Sequence, residues 1–154
     1  MKMLSFFFAA FALIASSIIP ANAATALWEK QGAWEIYGDT STDSCGAMVQ
    51  YDNGLTLSVL FLDNTAAIAI VCTSVTKGQS YSVKVGVSTG EHGTLEAVAS
   101  SNDTVMFLNI NQNTVKALVK AQVIYIEGLG GFDLTGSKAA MASAWQCYET
   151  LNSF

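Results

Sequence analysis

Arginine is absent from all 154 residues, and histidine and proline occur once each, as His92 and Pro20. With no guanidinium and a formal charge of −5, the chain lacks what phosphate neutralisation and base reading depend on, so a nucleic-acid partner is excluded. A single imidazole excludes His-rich metal sites. No later apolar run is long enough to span a bilayer, which takes about 20 residues. The hydrophobic share is 51%, but the first 23 residues inflate it, and the remainder is close to the ordinary ~45–50% of globular domains.

Those first 23 residues read as a secretory signal peptide. Lys2 gives a short positive start, Leu4 to Ile19 is apolar but for Ser5, Ser16 and Ser17, and Ala21-Asn22-Ala23 is a small-residue cleavage site. The apolar stretch is short for a membrane anchor, and Pro20 stands where an anchor would continue. The expected mature protein is residues 24–154, periplasmic or secreted, with no stable membrane insertion. Export places Cys45, Cys72 and Cys147 in a compartment that permits disulfides. An odd count predicts one bridge and one free thiol.

The mature length fits one domain. Residues 24–31 read as a loose lead. Trp34 to Tyr37 is a short candidate strand, and a β-meander follows. Cys45, Ala47, Val49 and Tyr51 alternate on one face, as do Leu55, Leu57, Val59 and Phe61, and then Ala66, Ile68, Ile70 and Cys72. A three-residue loop Asp52-Asn53-Gly54, with Gly54 left-handed, pairs Val49 with Leu57, Ala47 with Val59 and Cys45 with Phe61. A two-residue Asn-Gly loop would mix the faces. A two-residue loop at Asp63-Asn64 pairs Phe61 with Ala66, Val59 with Ile68 and Leu57 with Ile70. All three strands then share one buried face.

This register separates Cys45 from Cys72 by ~20 Å along the strands, well beyond the ~7 Å between Cα atoms that a disulfide allows. Any bridge within the chain therefore uses Cys147. Cys45 opens its strand after the polar run 40–44, where a helix end could approach, and is the favoured partner. Cys72 ends an apolar run and remains the alternative.

Further strands are expected over residues 81–87, 95–99, 104–110 and 122–127. Asn113 is the expected cap of a short helix carrying Val115, Leu118 and Val119. Residues 136–152 form the clearest helix. Cys147, Ala140, Leu151, Ala144, Tyr148, Met141 and Trp145 fall in one arc, and Thr135 or Ser137 is the expected cap. The fold class is thus α+β: mainly an antiparallel meander, as a partly open barrel or sandwich, with the C-terminal amphipathic helix packed on it.

The run Phe132-Asp133-Leu134-Thr135-Gly136-Ser137, followed by Ala139-Ala140 and Cys147, resembles the ending of small exported proteobacterial proteins of unassigned function. Their pattern is F-x-L-x-G-S-x-A-A followed by a helical Cys. Gly32-x-Trp34 and the Cys45 strand with its glycine-containing hairpin fit the same outline. More distantly the chain is similar to the invasion-associated locus B family and to a type VI secretion-associated accessory protein. The likeness covers most of residues 32–147 in outline. It implies a β-rich domain closed by a C-terminal helix and a Cys45–Cys147 bridge, with Cys72 extra to the pattern. It brings no catalytic residues.

Chemistry is sparse. His92 lies in Thr89-Gly90-Glu91-His92-Gly93, a glycine-flanked turn, and reads as a solvated loop residue. A small hydrolase would need it as base beside Ser88 or Ser100, oriented by Glu91 or Asp103. A Cys–His nucleophile would use Cys72 or an unpaired Cys45. Asp39-x-Ser41-x-Asp43 starts like a calcium loop, but Ser44 and Gln50 replace the turn glycine and the bidentate glutamate, so an EF-hand is rejected. Gly128-x-Gly130-Gly131 precedes a strand and is a turn, not a phosphate cradle. Glu35, Glu96 and Glu127 lie in strands and would need a common cleft for glycoside chemistry. No cofactor or metal is expected. Trp28 and Trp145, with His92, are the candidate contact surface, whereas Trp34 belongs to the core. The expected function is an exported, non-catalytic interaction domain with a protein partner, such as an envelope or secretion-system accessory. The alternatives are an inhibitor of an exported hydrolase, presenting loop 89–93 or 39–44, and a small hydrolase using His92.

Overall fold

The structure is a computed structural model that describes residues 25–63, 65–72 and 74–153. The leader at 1–23 lies outside the described residues. Ten strands form one antiparallel sheet: β1 (Thr25–Gln31), β2 (Trp34–Asp39), β3 (Ser44–Gln50), β4 (Thr56–Leu62), β5 (Thr65–Val71), β6 (Ser80–Val87), β7 (His92–Ala99), β8 (Thr104–Ile110), β9 (Val123–Ile126) and β10 (Gly130–Asp133). Helix α1 (Gln112–Lys120) joins β8 to β9, and helix α2 (Ser137–Leu151) ends the chain.

The spatial order is β1-β2-β3-β4-β5-β8-β7-β6-β9-β10. The expected meander is present in the expected register: Cys45, Ala47 and Val49 face Phe61, Val59 and Leu57, which face Ala66, Ile68 and Ile70 in turn. Gly54 is left-handed (φ +83°), and Tyr51 N–H donates to Leu55 O at 2.9 Å. Leu62 pairs with Thr65, so two residues separate β4 from β5; Asn64 lies outside the described residues. Beyond β5 the order reverses. The hairpins β6–β7 and β7–β8 enter the sheet backwards, so β8 pairs with β5 and β9 with β6.

Several expectations are corrected. Residues 25–31 are not a loose lead but edge strand β1, paired with β2 from Thr25↔Asp39 to Gln31↔Trp34. The turn between them starts at Gly32 (φ +62°), the positive φ that a tight hairpin requires. Mostly exposed residues fill β1, so it has no apolar alternation to betray it. The cap of α1 is Asn111 rather than Asn113: its Oδ1 accepts Thr114 N–H at 2.9 Å, the N-cap to N3 geometry. Neither Thr135 nor Ser137 caps α2. Gly136 does, in a left-handed conformation, because Thr135 is already held through its N–H and hydroxyl by Asp133 Oδ1 at 2.8 and 2.7 Å.

The sheet is open but curls. Tyr51, just past β3, donates its hydroxyl to Asp133 O of β10 at 2.7 Å and meets Phe132 edge-on at 5.3 Å. Trp34 in β2 donates its indole N–H to Thr135 O at 3.0 Å. The inner face holds the main core, which runs from Trp34, Ile36 and Cys45 through Val59, Ile68 and Phe107 to Ile124 and Phe132. Leu118 of α1 and Ala140, Met141, Ala144 and Cys147 of α2 complete it.

The single buried face expected for β3 to β5 is incomplete. Tyr37, Met48, Leu60, Ala67, Ala69 and Met106 form a second buried cluster on the opposite face, made of strand residues alone. Over β6 and β7 that same outer face carries Ser80, Ser82, Lys84, Thr94 and Glu96, all exposed. The signal was in the sequence: Leu60, Ala67 and Ala69 alternate with the inner-face residues, making near-continuous apolar runs typical of strands covered on both sides.

Cys45 and Cys147 form the disulfide, with Cα atoms 6.0 Å apart, and Cys72 is the free, buried thiol. The bridge fastens α2 to β3. Gly38, opposite Cys45 in the neighbouring strand, makes room for it. A Cβ at Gly38 would stand 3.0 Å from Cys147 Sγ and 3.6 Å from Cys45 Sγ. Cross-linked sulfurs cannot swing aside, so Gly38→Ala should destabilise the protein by ~1–3 kcal/mol, the usual range for overpacking. Urea unfolding checks this, and unchanged stability would contradict the placement of the bridge.

Candidate functional site

The register and the bridge together place the aromatic residues. Phe61 sits opposite Cys45, so a helix fastened to Cys45 necessarily crosses near Phe61. Trp145, two residues before Cys147, meets Phe61 edge-on at 5.4 Å (82° between rings) and Tyr148 at 5.3 Å (35°). Phe61 is buried, yet Trp145 remains 43% exposed. The indole is thus gripped on one side and offered to solvent on the other. Edge-to-face pairs add ~0.5–1.5 kcal/mol beyond area burial, enough to favour one orientation of a half-exposed ring.

Trp28 reaches the surface by another device. Leu27 pairs with Tyr37 and Glu29 with Ile36, leaving Trp28 as the extra residue of a bulge, which re-aims its side chain. It is 45% exposed, beside Leu27 at 44%. The next residue, Glu29, accepts a hydrogen bond from Ser143 of α2. This contact ties the strand carrying Trp28 to the helix carrying Trp145. It also explains why Ser143 is buried although it lies outside the helix's apolar arc: the unexpected strand β1 lies against that flank.

The far end of α2 is pinned to the 39–44 loop. Asn152 donates through Nδ2 to Asp43 O at 2.8 Å. Asp39 is buried, its Oδ1 accepting Ser41 N–H and hydroxyl at 2.8 and 2.5 Å and its Oδ2 accepting the Thr25 hydroxyl at 3.2 Å. That carboxylate shapes the loop. Among the described residues no group of three or more His, Cys, Asp or Glu side chains is placed to hold a metal ion.

His92 opens β7 opposite Gly86 and is exposed. Its Nδ1 lies 3.1 Å from Gly90 O. The hydrolase partners are engaged elsewhere. Ser88 Oγ accepts the N–H groups of Gln122 and Val123 at 2.9 and 3.2 Å. Ser100 Oγ donates to Thr104 O at 3.4 Å. Glu91 accepts the Thr89 hydroxyl, which holds its carboxyl below the usual value. Asp103 accepts the hydroxyls of Ser101 and Thr104 at 2.5 and 2.9 Å, which do the same. Burial, and secondarily Asp103, pushes the Cys72 thiol up, away from the thiolate a nucleophile requires.

The strand glutamates do not converge. Glu35 pairs with Lys30 at 2.7 Å and accepts the Tyr37 hydroxyl at 2.6 Å. The Lys30 contact, then the Tyr37 one, lowers its carboxyl. Glu127 lies 3.9 Å from Lys84, and Glu96 is exposed opposite Ser82. Glu35 and Glu96 lie in β2 and β7, whereas Glu127, expected within a strand, is in the turn just after β9.

Of the sequence-derived candidates, Cys45 and Cys147 are bonded and Trp145 stands beside that bridge, Trp28 lies on β1 at the opposite flank of α2, where Glu29 meets Ser143, and His92 lies apart on β7. Phe61, Tyr148, Glu29 and Ser143 were missed as members of the surroundings of α2. Phe61 was legible, since the predicted register placed it beside Cys45. Glu29 and Ser143 had no signal without β1. No family model, curated protein or solved structure matches this chain. The resemblance therefore rests on the sequence pattern within residues 32–147 alone.

Proposed function

We propose that this protein is an exported, non-catalytic interaction domain of an envelope or secretion-system assembly, which docks a protein partner through the aromatic surface around Trp145. The observation that carries this reading is the pre-oriented Trp145. Exposed tryptophans held in a fixed geometry are the commonest anchors of protein interfaces. Rigidity before binding reduces the entropy lost on association. The bridge two residues away supplies that rigidity, and it is compatible with an oxidising compartment. No helix among the described residues is long and apolar enough to cross a membrane.

A photo-reactive amino acid at position 145, in protein produced by its native host, tests this. The expected result is a cross-link to one envelope protein that is lost when the photo-reactive group is moved to Tyr125, which is 54% exposed but distant in the strand order. Equal cross-linking from both positions, or none from 145, would overturn the proposal.

A further inference from the structure

We propose that the cleft between the β6–β7 turn and the start of α1 is a binding site for a small organic amine, with its apolar body in the cleft and its ammonium at the rim. The inference is independent of the aromatic surface described above. The cleft holds about 270 Å³, a little under the ~300–1,000 Å³ of drug-sized sites, which suits a ligand on the order of ten heavy atoms. Its floor is the inner core laid open at the end of the curled sheet: Ile68, Val85, Val87, Leu95, Leu118 and Ile124. The rim is polar, with Glu91, His92 and Asn113.

Two observations set the ligand class. The first is Gly93. It pairs with Val85, whose side chain packs on the inner core, so a side chain at 93 would point inward as well. Its Cβ position meets nothing within 4 Å, and its φ is not in the left-handed region. The backbone there does not require glycine, and the missing side chain is what leaves the space empty. A glycine inside a strand often marks such an approach site.

The second is the polarity of the rim. A carbonyl oxygen cannot donate, so the 3.1 Å contact to Gly90 O places the proton on His92 Nδ1. In the neutral imidazole Nε2 is then a bare acceptor. Glu91 adds an anionic acceptor, and no lysine lines the cleft. The Thr89 hydrogen bond and, further off, the charge of Lys120 both keep the Glu91 carboxyl low and hence anionic. A rim with the Glu91 carboxylate, and in the neutral form of His92 an imidazole acceptor beside it, favours a donor with positive charge and disfavours carboxylates and phosphates.

Titration of the protein with hexylamine, hexanol and hexanoate, followed by NMR shifts of the cleft residues, tests the proposal. Saturable binding is expected for hexylamine, several-fold weaker binding for hexanol, and the weakest for hexanoate. Glu91→Gln should reduce hexylamine to the level of hexanol without altering hexanol binding. Gly93→Leu, whose Cβ would meet no atom within 4 Å and whose branch extends into the cleft, should abolish all three while leaving the unfolding midpoint intact. Absence of saturable shifts, equal affinity for hexylamine and hexanoate, or undiminished binding by Gly93→Leu would each overturn it.

Discussion

Replacing Cys147 with serine is expected to lower the unfolding free energy by up to about 5 kcal/mol, the chain-entropy value for closing a loop of this length. The bridge joins residues 102 apart in sequence, so its removal frees nearly the whole described chain in the unfolded state. The folded state adds to the loss, because Cys147 is fully buried and a serine hydroxyl there needs a hydrogen-bond partner. Reduction of the unaltered protein should give a smaller but similar loss, since the thiols still pack. Guanidinium unfolding of the three samples measures it. A loss under about 1 kcal/mol for both would mean that α2 is held without the bridge. Cys72→Ser is the contrasting variant: it removes no cross-link.

Trp34→Ala carries the second large effect. Trp34 is fully buried, and substitution of such a residue costs ~3–5 kcal/mol. Its position makes the upper part of that range the expected one. Its indole N–H bonds Thr135 O, and its ring lies against Gly136, where a Cβ would be 3.4 Å away. One side chain therefore packs the first β-hairpin against the residues that launch α2. Trp34→Phe keeps most of the ring and loses the hydrogen bond, so it should cost only ~1–2 kcal/mol. Urea denaturation of both variants decides the matter. Equal losses would show that the hydrogen bond, not the packing, dominates.

Much of this architecture was legible because period-two apolar patterns and turn residues constrain each other. The loops Asp52-Asn53-Gly54 and Asp63-Asn64, read together with the alternation, set the partners Cys45↔Phe61 and Leu57↔Ile70 in turn. The helical arc placed Cys147 inward, with Cys45 its favoured partner and Cys72 the alternative, and the structure pairs it with Cys45. Strand β1 was not legible, because an exposed edge strand buries little and needs no alternation. The backward insertion of β6 to β8 depends on which apolar edges find each other in space, which no local pattern encodes. The contact surface was half visible. Trp28 stood out as an aromatic outside the core pattern, and Trp145 as the large aromatic of the helix's apolar arc. The contact of β1 with α2 through Glu29 and Ser143 required β1, and the grip of Phe61 on Trp145 required register and bridge together.

The central claim is that Trp145, fixed by Phe61, Tyr148 and the neighbouring bridge, anchors a protein partner. Its most direct test is the dissociation constant of the partner trapped at position 145, measured for the unaltered protein and for Trp145→Ala. An interface hot spot is worth ~2 kcal/mol or more, so the substitution should weaken binding at least ~30-fold, with the unfolding midpoint nearly unchanged. Affinity preserved within about twofold would contradict the account.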